Sequence, residues 1–343
     1  MTAKPRIGVG LIGLGNSGWY YHAAGTFSKS SRFDLVAVSS KTASRTQKAA
    51  DVFEARPYED WRALIDDPQV ELIVIATPHD LHHPMALAAA AAGKHIVVEK
   101  PMTKTAAEAK EMIAAAQRNG VILTIFQNRR WERQFQTIRQ VVRDGVLGEL
   151  WRVEERRMHR GKYVVSGADS PHNGSELAAW AHTVEGGGGV TYLISPHLID
   201  HQIHLFGGAP LDVAAVMHTY PGDAVEHYAD IRMNFPGGAL SRVEILREAV
   251  DELPSWVVAG DKGTIVGPDL RTLHVRSADG SVSSFRDFPQ LRECDEFYDL
   301  LYSAITEGTP PPVDPWDSAK GVRVLELAHE SARSGGTRLE FSI

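Results

Sequence analysis

The chain has 343 residues, of which 43% are apolar and 23% are charged, and its formal net charge at pH 7 is −7. This length allows two domains, each with its own core. The net negative charge, with basic pairs only at Arg129-Arg130 and Arg156-Arg157, argues against a nucleic-acid partner. The longest alanine-rich run, Met85 to Ala92, is too short to span a bilayer, so we expect no membrane partner. A single cysteine, Cys294, and the lack of a secretory signal predict a cytoplasmic protein.

Short β-branched runs alternate with helical patterns in the first part of the chain. The predicted strands are Ile7 to Ile12, Phe33 to Val38, Leu72 to Ala76, His95 to Val98 and Val121 to Phe126. The predicted helices are Ala43 to Val52, Trp61 to Ile65, Pro84 to Ala92 and Thr105 to Asn119, the last with a capping box of Thr105 and Glu108. This alternation indicates a parallel sheet covered on both faces.

A glycine motif, Gly13-x-Gly15-x-x-Gly18, stands between the first strand and a helix-compatible stretch, which is the context that a dinucleotide fingerprint requires. Gly13 allows the tight turn, Gly15 lets the backbone approach a pyrophosphate, and Gly18 permits close packing of helix on strand. We assign these glycines and Asn16 to a cofactor site with the phosphates at the helix N-terminus. The alternative is an ordinary glycine-rich turn.

The end of the second strand indicates which dinucleotide is bound. NAD sites usually carry an acidic residue there, but this chain has Ser39-Ser40-Lys41. Ser40, Lys41 and Arg45 can donate hydrogen bonds to a 2′-phosphate, which favours NADP. NAD stays possible, because serine and lysine are also common turn residues.

The second part of the chain changes to alternating strands separated by turns. The predicted strands are Leu150 to Met158, Ala214 to Tyr220, Glu226 to Asn234, Ala239 to Leu246, Ser255 to Ala259 and Thr272 to Arg276, and two helices, Leu291 to Thr306 and Trp316 to Ser334, follow them. We therefore predict an α/β protein: a Rossmann dinucleotide-binding domain at 1–127, and an α+β domain at 128–343 with an open, mostly antiparallel sheet. The C-terminal helices would be able to pack back on the first domain.

Two groups of histidines permit a metal hypothesis. His197, His201 and His204 share one helical face, and His79, His82 and His83 crowd one loop. No acidic or thiolate ligand completes either group convincingly, so we predict no metal site. His79 and His82, with Thr77 and Pro78, are instead predicted to line a cofactor channel.

Several motifs together resemble the Gfo/Idh/MocA oxidoreductase family. They are the glycine fingerprint, Ala76-Thr-Pro-His79 with His82, Ala92-Gly-Lys-His95, Glu99-Lys100-Pro101 and the glycine-rich lead into His197-Leu-Ile-Asp200. The segment Asn128-Arg-Arg-Trp131 is similar to the branch that contains NADP-dependent scyllo-inositol dehydrogenases. The resemblance implies a Rossmann domain and an open-sheet domain, homodimers or homotetramers formed through that sheet, and hydride transfer to or from a sugar, cyclitol or related polyol.

The resemblance also implies roles for individual residues. Lys100 would exchange a proton with the substrate oxygen, and burial beside a cationic nicotinamide would lower the pKa of its amine. Glu99 would belong to the cofactor site, and His197 would hold the reacting oxygen. The substrate pocket would include Asn128, Trp131, Tyr163, Trp180 and Tyr192. The alternative for Lys100 is a surface lysine after a strand.

The chain departs from the family pattern at two positions. The family's aspartate four residues before the histidine is Leu193 here, and the arginine that often follows the tryptophan is Ala181. A second hypothesis is therefore a cofactor-binding sensor or regulator with impaired catalysis. A third is transient oxidation that labilises a neighbouring glycosidic or ether bond. Asp200 is expected to support its helix, and the stretch from Tyr163 to Glu185 is either a mobile lid or an insertion.

Overall fold

A computed structural model describes residues 6–160, 179–249, 251, 253–288 and 295–343. The chain forms two compact units, residues 1–128 with 291–319 and residues 129–290 with 320–343. The division predicted from the sequence, 1–127 and 128–343, stays a prediction about independently folding domains. In the described parts of the chain, no helix is both long and apolar enough to cross a membrane.

The first unit contains a six-stranded parallel sheet in the order β3-β2-β1-β4-β5-β6. Every residue of β1 and β4 is buried, which explains why these strands are continuous apolar runs rather than alternating ones. The order reverses between β1 and β4, as in doubly wound dinucleotide-binding folds. The strands are β1 Ile7–Ile12, β2 Phe33–Ser39, β3 Arg56–Tyr58, β4 Leu72–Ile75, β5 His95–Val98 and β6 Leu123–Ile125.

Helices connect the strands of this sheet. A short helix of the wide π type, Ser17–Ala23, follows the glycine motif. The capping box at Thr105 is present as predicted, with both reciprocal hydrogen bonds to Glu108. The α-helices are α1 Ala43–Phe53, α2 Trp61–Ile65, α3 His82–Ala91 and α4 Ala106–Arg118.

The second unit contains a nine-stranded sheet in the order β14-β13-β12-β11-β7-β10-β9-β8-β15. All neighbouring pairs are antiparallel except β7 and β10. This mostly antiparallel sheet and the parallel sheet of the first unit confirm the predicted fold class. The strands are β7 Leu150–Arg160, β8 Asp212–His218, β9 Tyr228–Asn234, β10 Leu240–Ala249, β11 Trp256–Gly260, β12 Gly263–Gly267, β13 Thr272–Ser277, β14 Val282–Arg286 and β15 Leu339–Glu340.

The two faces of the second sheet differ in chemistry. One face carries apolar residues such as Ile231 and Val243, which form a core with Leu198, Ile199 and Leu325 from helices. The other, which we call the outer face, carries Val216, Asp230, Glu244 and Arg156 in register across β8, β9, β10 and β7. The remaining helices are α5 Arg133–Arg143, α6 Gly189–Leu193, α7 Ser195–Phe206, α8 Asp295–Glu307 and α9 Pro315–Arg333.

Some elements were not predicted. Strand β3 contains Pro57 and pairs only with β2, an edge position where a missing N–H is tolerated. Helix α5 was missed although Phe135 and Ile138 lie three residues apart and enter a core with Trp256. Strand β14 is exposed at every position and therefore lacks an apolar alternation to detect.

Candidate functional site

The carboxyl ends of β1, β2 and β4 meet beside the glycine motif. The Gly13 N–H donates to the Ser39 carbonyl at 2.9 Å, and the Ala76 N–H donates to the Ile12 carbonyl at 2.8 Å. Dinucleotides bind at this edge of doubly wound sheets, where the strand order reverses. The predicted cofactor residues after β1, β2 and β4 therefore lie at one edge of the first sheet.

The three glycines of the motif differ in their surroundings. Gly13 has φ +99°, and a Cβ atom there would lie within 3.0 Å of the Ala76 carbonyl. A Cβ atom on Gly18 would lie equally close to the Gly13 carbonyl. Around Gly15, by contrast, a Cβ atom would meet nothing within 4 Å, and its backbone does not need a positive φ. The fold therefore does not require glycine at this position. The open space fits the approach of a pyrophosphate.

The helix that follows this turn is short. The Trp19 N–H donates to the Gly15 carbonyl, and the Ala24 N–H donates to the Trp19 carbonyl, both at 2.9 Å, the second spanning five residues. Asn16 has a helical backbone, and its side chain makes no capping hydrogen bond. The first turn carries no acidic residue that would repel a phosphate.

The end of β2 carries the residues predicted to select NADP. Ser40 is half-buried, and its hydroxyl accepts a hydrogen bond from the Thr42 N–H at 3.4 Å. Lys41 is exposed and Arg45 is half-buried in the first turn of α1. Lys48, one turn further on, lies with its amine 5.5 Å from the centre of the Trp19 ring. The segment from Ser39 to Ala50 contains no acidic residue, so its charge suits an anionic group.

His79, after β4, and His82, at the start of α3, are both buried. His82 is fully buried, with Nδ1 2.9 Å from the Pro101 carbonyl and Nε2 3.1 Å from the Thr77 carbonyl. Burial lowers the pKa of His82 in spite of these contacts. The His82 ring thus contacts the backbone after β4 and after β5, and its place in a cofactor channel stays a prediction. His79 is buried beside it, with ring centroids 5.6 Å apart.

Glu99 and Lys100 follow β5 at the same edge of the sheet. Glu99 is 7% exposed, and its carboxylate accepts a hydrogen bond from the Lys100 N–H at 3.2 Å and contacts His22 Nε2 at 3.2 Å. Burial alone would raise the pKa of Glu99, but the hydrogen bond from His22 and the charges of His22 and Lys100 hold it below its ordinary value. Lys100 is half-buried, and its peptide bond to Pro101 is cis. The lysine is thus next to an ionised carboxylate.

In the second unit, His197 lies in the first turn of α7, next to Pro196, and is buried. Asp200, one turn later, accepts two hydrogen bonds of 2.7 Å from the guanidinium of Arg130. Asp200 thus pairs with the turn Asn128–Trp131, which contains two predicted substrate residues, and its role in helix support stays a prediction.

Leu193 and Tyr192, at the end of α6, both make packing contacts. Leu193 packs against the apolar core of the second unit. Tyr192 stacks on His329, with ring centroids 5.1 Å apart and an interplanar angle of 18°. A carboxylate does approach α6, but at its start: Glu226 accepts a hydrogen bond from the Thr191 N–H at 2.8 Å.

The glycine run before α6 is closely packed. A Cβ atom on Gly186 or Gly188 would lie within 3.0 Å of the carbonyl of Trp180 or Ala181, respectively. Gly189 has φ +88°, and a Cβ atom there would collide with the Glu226 carboxylate. These glycines are therefore required by the turn around Trp180. Tyr163, the remaining predicted pocket residue, lies outside the described residues, as do most of the stretch to Glu185 and Cys294.

The histidines of α7 have other partners. His201 is buried, stacks on Phe135 with centroids 3.8 Å apart, and places Nδ1 3.0 Å from the Glu155 carboxylate. His204 lies with its ring centroid 6.1 Å from Phe135. Within the described ranges, no group of three histidine, cysteine, aspartate or glutamate residues has a geometry that could hold a metal ion.

Sequence reasoning missed three residues near these sites. His22 and Tyr298 contact each other beside Glu99, and Glu226 contacts the start of α6. The signal for His22 was its place four residues after Gly18, on the helix that follows the fingerprint. Tyr298 and Glu226 carry no local signal.

The parallel sheet, the glycine turn and the lysine after β5 define a dinucleotide-dependent oxidoreductase. Residues 7–127 match the family described as "Oxidoreductase family, NAD-binding Rossmann fold", and residues 135–266 match the "GFO/IDH/MocA C-terminal domain". The chain belongs to the Gfo/Idh/MocA oxidoreductase family, which confirms the predicted family and the prediction of an enzyme.

Individual relatives agree with this assignment. The chain is 34% identical over 266 residues to "Uncharacterized oxidoreductase YdgJ" of Escherichia coli (strain K12), covering 76% of this chain and 70% of the relative. It is 26% identical over 368 residues to "scyllo-inositol 2-dehydrogenase (NADP(+)) IolW" of Bacillus subtilis (strain 168), covering 96% and 95%. A solved NAD-binding protein from Listeria innocua shares the fold with a TM-score of 0.83 at 24% identity, covering 98% and 97%.

The glycine motif offers a matched pair of substitutions. We expect Gly15→Ala to keep the thermal midpoint of wild type but to lose most of the stabilisation that added dinucleotide gives, because its methyl group enters only the open space. We expect Gly18→Ala to lower the midpoint itself, because overpacking by its methyl group costs about 1–3 kcal/mol of folding free energy. Thermal unfolding with and without NADP+ measures both. Full cofactor stabilisation in Gly15→Ala would contradict the assignment.

Proposed function

We propose that this protein is an NADP-dependent oxidoreductase that interconverts an alcohol and a ketone or aldehyde on a sugar, cyclitol or related polyol. The observation that carries the proposal is the edge of the first sheet, where the open space at Gly15 and the Glu99-Lys100 pair lie at the carboxyl ends of β1 and β5. A bound nicotinamide would accept or supply the hydride there.

In this proposal Lys100 handles the proton. For oxidation, the neutral amine of Lys100 takes the proton of the substrate hydroxyl while the carbon gives up its hydride, and the reverse direction returns both. The ionised Glu99 next to it keeps a negative charge near the ammonium form that results. His197 is proposed to hold the reacting oxygen, with Asn128, Trp131, Trp180 and Tyr192 shaping the pocket and Tyr163 staying a sequence-based prediction.

The preference for NADP is supported by charge. Lys41 is exposed at the end of β2, and the segment around it lacks an acid that would repel a 2′-phosphate. The relative IolW carries NADP+ in its name.

A second candidate is a sensor that binds the cofactor without efficient catalysis. Leu193 favours it, because an apolar side chain packs into the core where the family pattern has a carboxylate. Tight NADP(H) binding without turnover across a broad panel of polyols and sugars would indicate this function.

We also propose a cytoplasmic homodimer or homotetramer formed through the outer face. Its charged residues are already paired with one another: Arg242 donates to Asp230 and Glu244, and Arg156 donates to Glu244. On the same face, the apolar side chain of Val216 is more than half exposed. Paired charges and exposed apolar side chains suit burial against a second copy.

Cofactor choice is testable at one residue. We expect Lys41→Ala to weaken NADP+ binding about tenfold, the loss of one charge-assisted hydrogen bond, and to leave NAD+ binding unchanged. Titration calorimetry with both cofactors measures this, with Lys110→Ala, at an exposed position of α4, as the control. An equal loss for both cofactors would contradict a contact with the 2′-phosphate.

The role of Lys100 is tested with NADP+ and a panel of inositols, aldoses and anhydrosugars, following reduced nicotinamide by absorbance. We expect Lys100→Ala to lower kcat by about 10²–10⁴-fold and to keep NADP+ binding, because only the acid–base group is lost. Lys110→Ala is again the control. Normal turnover in Lys100→Ala would refute the proposed mechanism.

Assembly through the outer face is tested at Leu240, which is 49% exposed and pairs with Asn234 on that face. We expect Leu240→Asp to shift the protein toward monomer in sedimentation velocity. Val52→Asp, at a residue 56% exposed in the first unit, is the matched control. A monomeric wild type would rule out the assembly.

A further inference from the structure

A histidine that the proposed chemistry does not use lies directly behind Glu99. His22 is 0% exposed and is enclosed by the rings of Phe27, Phe126 and Tyr298, with centroids 6.5, 4.4 and 6.0 Å away. The Tyr298 hydroxyl lies 2.6 Å from Nδ1, and Glu99 Oε1 lies 3.2 Å from Nε2. Both ring nitrogens therefore have polar partners in an otherwise aromatic environment.

The direction of these hydrogen bonds follows from the donor inventory. An ionised Glu99 can only accept, so Nε2 of His22 carries the hydrogen and donates. Nδ1 of His22 accepts from the Tyr298 hydroxyl when the ring is neutral and donates to it when the ring is protonated, so the 2.6 Å hydrogen bond forms in both states. The second oxygen of Glu99 accepts from the N–H of Lys100 at 3.2 Å. A chain of hydrogen bonds thus runs from Tyr298 through His22 to Glu99, the residue before Lys100.

Three titratable groups face Glu99, and the Tyr298 hydroxyl lies on the far side of one of them, His22. They are His22 from the helix after the glycine turn, His82 from α3, and the adjacent Lys100. Burial lowers the pKa of His82, against the opposing effect of its carbonyl contacts and of Glu99. The attraction between Glu99 and Lys100 acts on both groups: the carboxylate favours the ammonium form of the lysine.

Resting on the proposed function, we propose that His22, oriented by Tyr298, is a positioning residue for proton transfer at Lys100. It fixes the Glu99 carboxylate in the orientation in which it receives the Lys100 N–H. Because His22 lies four residues after Gly18, the same side chain connects the cofactor turn to the end of β5 that carries the lysine.

The test measures Lys100 directly and needs no substrate. Competitive labelling of the full chain with isotopically labelled acetic anhydride, read by mass spectrometry across a pH series, gives the midpoint at which each lysine becomes reactive. The series is run with and without NADP+. Lys110, exposed on α4, is the internal reference.

The variants are Glu99→Gln, His22→Asn and Tyr298→Phe. We expect Glu99→Gln to lower the Lys100 midpoint by about one pH unit, because the neighbouring negative charge is lost. His22→Asn should shift it in the same direction by less, and Tyr298→Phe by the least. The matched control is His83→Asn, which removes a surface histidine 2.9 Å from Glu111 and should leave the midpoint unchanged.

A Lys100 midpoint in folded His22→Asn and Tyr298→Phe that is indistinguishable from wild type would overturn the proposal. If His22→Asn does not fold, Tyr298→Phe decides, since it keeps the ring and removes only the hydroxyl. Different outcomes contradict the role of His22 and the proposed function. Shifted midpoints in a protein without turnover support the role of His22 and count against the dehydrogenase, whereas turnover with unshifted midpoints does the reverse.

Discussion

An ionised carboxylate buried at the end of β5 constrains much of the first unit. Removing a carboxylate from water costs several kcal/mol unless the fold supplies donors. Glu99 obtains them from the Lys100 N–H and the His22 ring, and His22 depends in turn on Tyr298, 276 residues later in the chain. This requirement gives a physical reason why α8, from near the end of the chain, belongs to the same compact unit as the first 128 residues.

Local patterns carried most of the fold prediction. The bounds of β1 and β5 agree with the structure residue by residue, and the capping box at Thr105 is present, because each depends on neighbours within one strand or one turn. The parallel pairing of β7 with β10 joins segments about 90 residues apart, and no local signal specifies it. The charged pairs along these strands, such as Arg156 with Glu244, become apparent only once the register is known.

In the candidate site, too, features set by neighbouring residues were predictable and contacts between distant segments were not. The glycine turn was predictable because Gly13 and Gly18 meet a demand set by the turn and the adjacent strand. The contacts of the His82 ring were not predictable, because its partners are backbone carbonyls, which any sequence provides. His22 could be noticed after the fingerprint, but its pairing with Tyr298 requires the tertiary fold.

Leu193 stands where the family pattern has an aspartate, so this position carries no acid–base group. Asp200 is the acidic residue nearest in sequence, and it is held by both hydrogen bonds of Arg130, with both side chains buried. Rotating Asp200 away would break both hydrogen bonds of this buried ion pair, and breaking a buried pair typically costs about 3–5 kcal/mol. Asp200 therefore does not replace the missing carboxylate. In the proposed function, Glu99 is the buried carboxylate beside Lys100, and its charge is maintained within the first unit by His22 and the Lys100 N–H.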